Sequence, residues 1–174
     1  MATFAMSEAL TIILKRNDPT AAAKQVSLTE LGSIRINKEE RTKMLKTIPR
    51  TSIIGFIIGV LPGAGATIAS FLAYGMERNL VKDEEKEKFG KGSVHGLAAP
   101  ETANNAACSG AFVPLLTLGI PGSGTTAVML GALLGFGIQP GPRLYMTNPE
   151  IFWSVIMSMY IGMVVLLILN LPLI

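Results

Sequence analysis

The sequence predicts an all-α integral membrane protein, and three features of its composition lead to that prediction. Hydrophobic residues make up 49% of the 174 residues and charged residues only 16%, and the mean hydropathy is +0.47. The charge is also segregated, because the stretches 51–76, 102–142 and 151–174 contain no Asp, Glu, Lys or Arg. A helix needs about 20 consecutive apolar residues to cross a bilayer, and each of these stretches is long enough.

The first 50 residues are predicted to form a cytoplasmic polar segment that follows the end of a truncated apolar helix. Between positions 35 and 50 there are six basic residues and two acidic ones, and such a basic flank favours the cytoplasmic side of a membrane. The chain ends inside an apolar run as well, so we expect a fragment of a larger protein. In order, the segment contains a short helix (2–14), a polar loop (17–36) and a helix (38–48) that Asn37 caps and that stops before Pro49.

Residues 51–76 begin the predicted membrane domain, which covers residues 51–174. Their middle is Leu61-Pro62-Gly63-Ala64-Gly65, where helical hydrogen bonding fails. Two interpretations remain open, a hairpin that enters the membrane and returns, and a single broken span. The polar loop predicted at 77–101 also carries basic residues, which favours the hairpin. Three glycines that recur every fourth residue predict a close helix contact, namely Gly55, Gly59 and Gly63.

Residues 102–142 cannot form one straight span, since 41 helical residues would reach roughly 60 Å, about twice the hydrocarbon core. The predicted break is Pro121-Gly122, between arms at 111–118 and 126–138, again as a broken helix or hairpin. Pro100-Glu101 is predicted to interrupt the chain before this stretch. Asn104 and Asn105 then either cap the next helix or contact a substrate or ion, because unmet amide groups are costly in lipid. Residues 151–174 form the plainest transmembrane helix, with Trp153 as an interface anchor.

The two broken segments contain a repeat. Residues 61–67 and 120–126 align without a gap at an offset of 59, with Pro, Gly, Gly and Thr identical. Interrupted apolar segments in corresponding positions indicate a transporter binding site, where a new helix N-terminus offers N–H groups to an anion. Breaks that serve only as kinks remain the alternative. The candidate substrate- or ion-binding residues are Pro62, Gly63, Gly65, Thr67, Asn104, Asn105, Pro121, Gly122, Ser123, Gly124, Thr125 and Thr126.

Catalysis is not predicted. Ser123 as a nucleophile would need His95, the only histidine, which the sequence places in a flexible Gly-rich polar loop. No metal site is predicted, since a cluster of His and Cys ligands is missing from the sequence. The lone Cys108 indicates a packing role. The net charge of +3 is better explained by membrane topology than by nucleic-acid binding.

Five ordered motifs carry a resemblance to a known family. They are residues 59–67, 89–92, 99–106, 114–122 and 140–142, and the chain that contains them resembles the large membrane subunit of the tripartite tricarboxylate transporters, the TctA type. The resemblance implies the early part of the second half of a larger inverted-repeat transporter. It also implies cation-coupled uptake, driven by Na⁺ or H⁺ and without another cofactor, of tricarboxylates or related carboxylates. The implied partners are a periplasmic solute-binding protein and a small membrane subunit, and the implied location is the bacterial inner membrane, as a multi-pass protein.

A structural membrane module that only packs helices, without transport activity of its own, is the alternative function. In that case the small residues would serve as helix contacts, with Gly131 and Gly135 added to the three glycines of residues 55–63. The two functions are separated by the position of the Pro-Gly breaks. A transporter requires the breaks to converge on one polar cavity, whereas a packing module does not.

Overall fold

The computed structural model of the chain describes Leu10 and residues 36–170. Within these residues the protein is all-α, which confirms the predicted class, and no strand occurs among them. The predicted helix at 2–14 and loop at 17–36 therefore lie almost wholly outside the described residues. The helices are α1 (Lys38–Val60), α2 (Gly65–Leu80), α3 (Asp83–Lys86), α4 (Val94–Gly110), α5 (Phe112–Leu118), α6 (Gly124–Gly135), α7 (Leu144–Thr147) and α8 (Pro149–Asn170).

Helices α1, α2 and α4 pack together through stripes of buried residues spaced four apart. A spacing of four places the residues of each stripe on one face of their helix. Most of them are small, which lets the backbones approach closely. The stripes are Thr47, Thr51, Gly55 and Gly59 on α1, Ala69, Ala73 and Glu77 on α2, and His95, Ala99, Ala103 and Ala107 on α4.

The closest contact is the crossing of α1 and α4. A Cβ atom built on Gly55 would lie 2.6 Å from the Cα of Ala103, and one built on Gly59 would lie 2.6 Å from the Cα of Ala107. The predicted contact role of these two glycines is therefore confirmed. Gly63 does not share it, because it lies in the turn after α1 with φ +83 and nothing within 4 Å of a built Cβ.

The turn at residues 61–64 folds α1 and α2 into a helical hairpin. Arg50 on α1 contacts Glu77 on α2, although 27 residues separate them, so the two arms run antiparallel and their outer ends lie side by side. Whether this hairpin is re-entrant in a membrane stays a prediction.

Helix α1 does not stop before Pro49, as the sequence predicts, but continues through it to Val60. Proline removes the hydrogen bond to the carbonyl of Leu45. Both residues are exposed, so the carbonyl that loses its partner lies on an exposed face of the helix. The helix thus crosses the predicted boundary between residues 50 and 51.

The connection predicted at 77–101 is shorter in the structure, and the helix does not break at Pro100. Helix α2 extends to Leu80, and α4 begins at Val94 and includes Pro100. Ser93 caps α4, since its hydroxyl accepts a hydrogen bond from the N–H of Gly96 at 3.1 Å. The buried residues around Pro100 pack this helix against α1 and α2. The stabilisation from this packing outweighs the loss of the one hydrogen bond that the proline cannot make.

Helices α5 and α6 form the second interrupted unit. Gly119 ends α5 in the left-handed conformation, with φ 72, and α6 begins at Gly124 after a short extended stretch. Beyond α6 the chain returns, because the N–H of Gly141 donates to the carbonyl of Leu116 at 3.2 Å. The two predicted arms around Pro121 therefore exist, with α6 ending at Gly135 rather than at residue 138.

Helix α8 is the one helix among the described residues that is long and apolar enough to cross a membrane. Its 22 residues would extend about 33 Å, and none of them is buried. Trp153, the predicted interface anchor, is 60% exposed. The described part of the predicted helix at 151–174 thus has the length and composition of a membrane span.

Candidate functional site

The two Pro-Gly breaks are in direct contact. The N–H of Gly63 donates a hydrogen bond to the carbonyl oxygen of Gly122 at 3.3 Å, which agrees with the prediction that the breaks converge. An open cleft of about 510 Å³ lies between them. Its lining consists of Gly63, Gly65, Ala66, Thr67, Pro121, Gly122, Ser123, Gly124 and Ala127.

Two helix N-termini meet at this cleft. Helix α2 begins at Gly65 and α6 begins at Gly124, which are corresponding positions of the sequence repeat. The first turn of each helix supplies lining residues, so backbone N–H groups and two partial positive charges are concentrated there. None of the lining residues is charged. The cleft therefore favours the binding of an anion, although neither lysine nor arginine lines it.

The two N-termini are not equivalent in their capping. Ser123 caps α6 through a capping box, in which its hydroxyl accepts from the N–H of Thr126 at 3.2 Å and its own N–H donates to the Thr126 hydroxyl at 2.8 Å. Helix α2 has no side-chain cap at Ala64. The first turn of α2 consequently keeps more of its backbone donors available than the first turn of α6.

The backbone of the two breaks also differs. Gly63 and Gly65 have φ values of 83 and 68, whereas Gly122 and Gly124 are not among the glycines with positive φ. Gly122 is instead required by a close approach, because a Cβ there would lie 3.1 Å from the Cβ of Ala111. The same residue type thus serves two different needs in the two halves of the repeat.

Seven of the twelve candidate residues line the cleft. Thr126 is buried at 2% exposure as part of the cap, while Pro62 and Thr125 are exposed beside the cleft. Ala66 and Ala127 also line it, and they were missed because alanine carries no polar signal. Ala127 follows Gly124 by one helical turn and Ala66 lies between the candidates Gly65 and Thr67, and these positions could have revealed them. A binding role for any of these residues stays a prediction.

Asn104 and Asn105 lie elsewhere, in the middle of α4, so neither caps a helix. The amide of Asn104 donates to the hydroxyl of Ser70 at 3.4 Å, which links α4 to α2. Asn105 is exposed and donates to the carbonyl of Glu101 at 3.0 Å within its own helix. Their amide groups are therefore satisfied away from the cleft.

A buried polar cluster, which the sequence analysis missed, lies at the outer end of the α1–α2 hairpin. Thr47, Glu77 and His95 come from three helices and are 0%, 0% and 8% exposed. The Thr47 hydroxyl donates to Glu77 Oε1 at 2.8 Å and lies 2.7 Å from His95 Nδ1, and His95 Nδ1 lies 3.0 Å from Glu77 Oε1. Arg50 binds the same carboxylate through two nitrogens, at 2.9 and 2.5 Å.

His95 is thus not in a flexible polar loop, as the sequence predicts, but in the second position of α4. The signal that could have found the cluster is the spacing of four, since Glu77 and His95 each continue a stripe of buried alanines. Ser123 lies in the cleft, whereas Glu77 is 12 residues, about 18 Å, along α2 from Gly65. His95 therefore cannot serve Ser123 as a general base.

Partly exposed ion pairs surround the outer end of the hairpin. Lys43 bonds Glu39 at 2.8 Å and Glu85 at 3.2 Å, and Lys88 bonds Glu85 at 2.8 Å. The hydrogen bonds from Lys88 and then Lys43 lower the pKa of the Glu85 carboxyl. The hydrogen bond from Lys43 likewise lowers the pKa of Glu39. These groups lie outside the predicted membrane segments.

Two proteins of Agrobacterium vitis are similar to this chain. An uncharacterized 52.8 kDa protein in the TAR-I ttuC′ 3′ region is 43% identical over 159 residues, which cover 91% of this chain and 31% of the relative. An uncharacterized protein in the TAR-II ttuC′ 3′ region is 50% identical over 120 residues, which cover 69% of this chain and 49% of the relative. The chain thus spans about a third of the length of the first relative and about half of the second. No solved structure matches it.

The family comparison confirms the resemblance drawn from the five motifs. The model that matches is described as the Tripartite tricarboxylate transporter TctA family, and it covers residues 1–174. This is a family of membrane transporter components and not of enzymes, as predicted. Since the match extends over the whole sequence, the chain belongs to the TctA family of tripartite tricarboxylate transporters.

Proposed function

We propose that the chain is a segment of the permease subunit of a cation-coupled, binding-protein-dependent uptake system for tricarboxylates or related carboxylates. The observation that carries this proposal is the contact between the two Pro-Gly breaks, which brings two helix N-termini to one uncharged cleft. A carboxylate held there would be bound by backbone N–H groups. The proposed contacts are Gly63, Gly65, Thr67, Pro121, Gly122, Ser123 and Gly124.

The setting proposed for this permease is the bacterial inner membrane, with several crossings in the whole protein. A periplasmic solute-binding protein would deliver the carboxylate, a small membrane subunit would complete the assembly, and Na⁺ or H⁺ would supply the driving force. Membership of the TctA family supports these partners. The hairpin of α1 and α2 would be re-entrant, since both of its outer ends lie together beside basic residues.

A matched pair of glycines in α6 tests the cleft. Gly124 lines the cleft and Gly131 does not, and a Cβ built on either has nothing within 4 Å. Valine at position 124 would fill the binding space without a packing clash. In full-length permease reconstituted with its partners, we expect Gly124→Val to lower carboxylate uptake by about tenfold or more, equivalent to ~1.4 kcal/mol, while Gly131→Val retains it. Equal uptake by the two variants would contradict the proposal.

A second pair tests the charge of the ligand. Thr67 and Thr125 are both exposed threonines in the first turn after a break, but only Thr67 lines the cleft. Thr67→Asp places a negative charge where the carboxylate would bind and should abolish uptake, whereas Thr125→Asp should retain most of it. If Thr67→Asp transports normally, the cleft is not the carboxylate site.

The packing-module alternative draws support from the α1–α4 crossing, where Gly55 and Gly59 allow the backbones to touch. It accounts for these glycines but not for the uncharged cleft at the breaks. Under this alternative, both valine variants of α6 and both aspartate variants would leave uptake by the full-length permease unchanged.

A further inference from the structure

We propose that His95 and Glu77 form a proton-binding site at the end of the α1–α2 hairpin opposite the Pro-Gly cleft. The site is built from three helices that meet at their buried stripes. Glu77 is fully buried, His95 is 8% exposed, and each contacts the other and Thr47. A buried ionisable group is costly unless it is paired and hydrogen-bonded. Small or apolar residues continue the same stripes and could pack there without this cost.

The hydrogen bonds define where a proton can be added. With Glu77 ionised, its carboxylate only accepts, so the hydroxyl hydrogen of Thr47 is used in the bond to Glu77 Oε1. His95 Nδ1 must then carry a hydrogen, which it donates to Thr47 Oγ1 or to Glu77 Oε1. The neutral imidazole is thereby fixed as the Nδ1–H tautomer, and its remaining lone pair is on Nε2.

That lone pair is accessible. Every buried side-chain nitrogen or oxygen in the described part of the chain has a hydrogen-bond partner, and the bonds of His95 are both made by Nδ1. Nε2 is therefore not completely enclosed. The His95 side chain is 10% exposed and lines a second cleft, of about 450 Å³. A proton from water in this cleft can bind Nε2 and return by the same route, with no other bond formed or broken.

The charged groups around the imidazole determine how stable its protonated form is. Glu77 faces it from α2 and stabilises the imidazolium, whereas Arg50 from α1 opposes it across the shared carboxylate. The other charged residues of the cleft are Glu39, Lys43 and Lys46 on α1, Lys82 after α2 and Glu85 on α3, and Glu101 is exposed further along α4. Glu77 Oε1 accepts from Thr47 and Arg50 and lies 3.0 Å from His95 Nδ1, so a proton on Nε2 would add an ion pair to the contact that joins α4 to α1 and α2.

As a coupling or regulatory site for transport, this inference rests on the proposed function, while proton binding itself does not. The single histidine of the chain makes proton binding directly measurable. We would label the imidazole of the chain with ¹⁵N and record its NMR spectrum in lipid nanodiscs from about pH 9 to about pH 5, the range in which imidazole titrates. We expect the Nδ1–H tautomer at high pH and its conversion to imidazolium as the pH falls.

Two substitutions that remove opposite charges distinguish an electrostatic effect on His95 from general damage to the fold. Glu77→Gln should decrease the imidazolium fraction at a given pH, and Arg50→Gln should increase it, while Glu101→Gln should leave it unchanged. The proposal would be overturned if the spectra did not change with pH. It would also be overturned if the Glu77 and Arg50 variants changed the imidazolium fraction in the same direction. If Glu77→Gln does not fold, Arg50→Gln alone still tests the proposal, which requires the imidazolium fraction to increase in that variant.

The role of His95 in transport is tested in the full-length permease. We expect His95→Asn to flatten the pH profile of carboxylate uptake, whereas Cys108→Ser, at an exposed position also on α4, should leave it unchanged. A profile that keeps its pH dependence in His95→Asn would remove the role in transport. Uptake that is missing in the wild type would refute the proposed function, and the NMR titration would stand independently of it.

Discussion

The backbone N–H of Gly63 is hydrogen-bonded to the carbonyl oxygen of Gly122 at 3.3 Å, although 59 residues separate them. The bond joins the two turns that precede α2 and α6, so the first turns of both helices border one cleft. It depends on residues without a side chain at both ends, because Gly63 has positive φ and Gly122 is packed against Ala111. The position of the candidate site is therefore determined by two glycines and not by charged side chains.

Gly122→Val should destabilise the protein. A Cβ at this position would lie 3.1 Å from the Cβ of Ala111 and 3.4 Å from the carbonyl oxygen of Gly59, and overpacking of this kind lowers the free energy of unfolding by about 1–3 kcal/mol. Denaturant unfolding in detergent measures the change. Gly124→Val is the control, since nothing lies within 4 Å of its Cβ. Equal unfolding free energies for the two variants would show that Gly122 is not tightly packed.

Gly59→Ala should separate α1 from α4. Its Cβ would lie 2.6 Å from the Cα of Ala107, which cannot move without a shift of the whole helix, so we expect a loss of roughly 1–3 kcal/mol. Gly75 on α2 is the matched control, because it is also helical and has nothing within 4 Å of a built Cβ. Gly75→Ala should be neutral or stabilising by up to about 1 kcal/mol. Thermal unfolding of both variants in detergent checks this, and the reverse order would contradict the helix crossing.

Glu77→Ala should be destabilising. It would leave the guanidinium of Arg50 and the imidazole of His95 without their buried acceptor. Because the Arg50 side chain is 39% exposed and can bind water instead, we expect a loss of about 1–3 kcal/mol. Lys88→Ala removes a partner from an exposed pair and should cost less than about 1 kcal/mol. Denaturant unfolding compares the two. Similar small losses would show that the cluster does not hold α1, α2 and α4 together.

The surface pairs predict a pH dependence of known sign. The pKa of Glu85 is lowered from 4.5 by the hydrogen bonds from Lys88 and Lys43. Its contribution to stability is therefore fully present above pH 4.5 and is lost as the pH falls through the lower folded-state pKa. Lys88→Ala should raise the pKa of Glu85 towards its ordinary value.

A ¹³C NMR titration of the Glu85 carboxyl measures this change. Lys86→Ala is the control, because Lys86 bonds Asp83 instead, at 3.0 Å. If the pKa of Glu85 were the same in the wild type and in Lys88→Ala, the hydrogen bond from Lys88 would not be what lowers it. An equal change in Lys86→Ala would lead to the same conclusion.

Local chemistry accounts for what the sequence by itself determined. Proline lacks an N–H and glycine tolerates unusual backbone angles, so the turns before α2 and α6 were predictable from Pro62 and Pro121 with their neighbouring glycines. The all-α class and the apolar character of α8 likewise follow from composition and length. These properties depend on residues that are adjacent in the chain, and they hold whatever the rest of the fold does.

Tertiary structure alone decided which distant residues meet. Pro49 and Pro100 read as helix ends, but exposure of the freed carbonyl in one case and packing of Ala99 and Ala103 in the other kept both helices intact. Glu77 and His95 read as polar flank and loop, yet the register of three buried stripes placed them together, while Asn105 was turned away from the cleft. The physical reason is that the rotation and register of packed helices depend on contacts summed over whole faces, which no local segment contains.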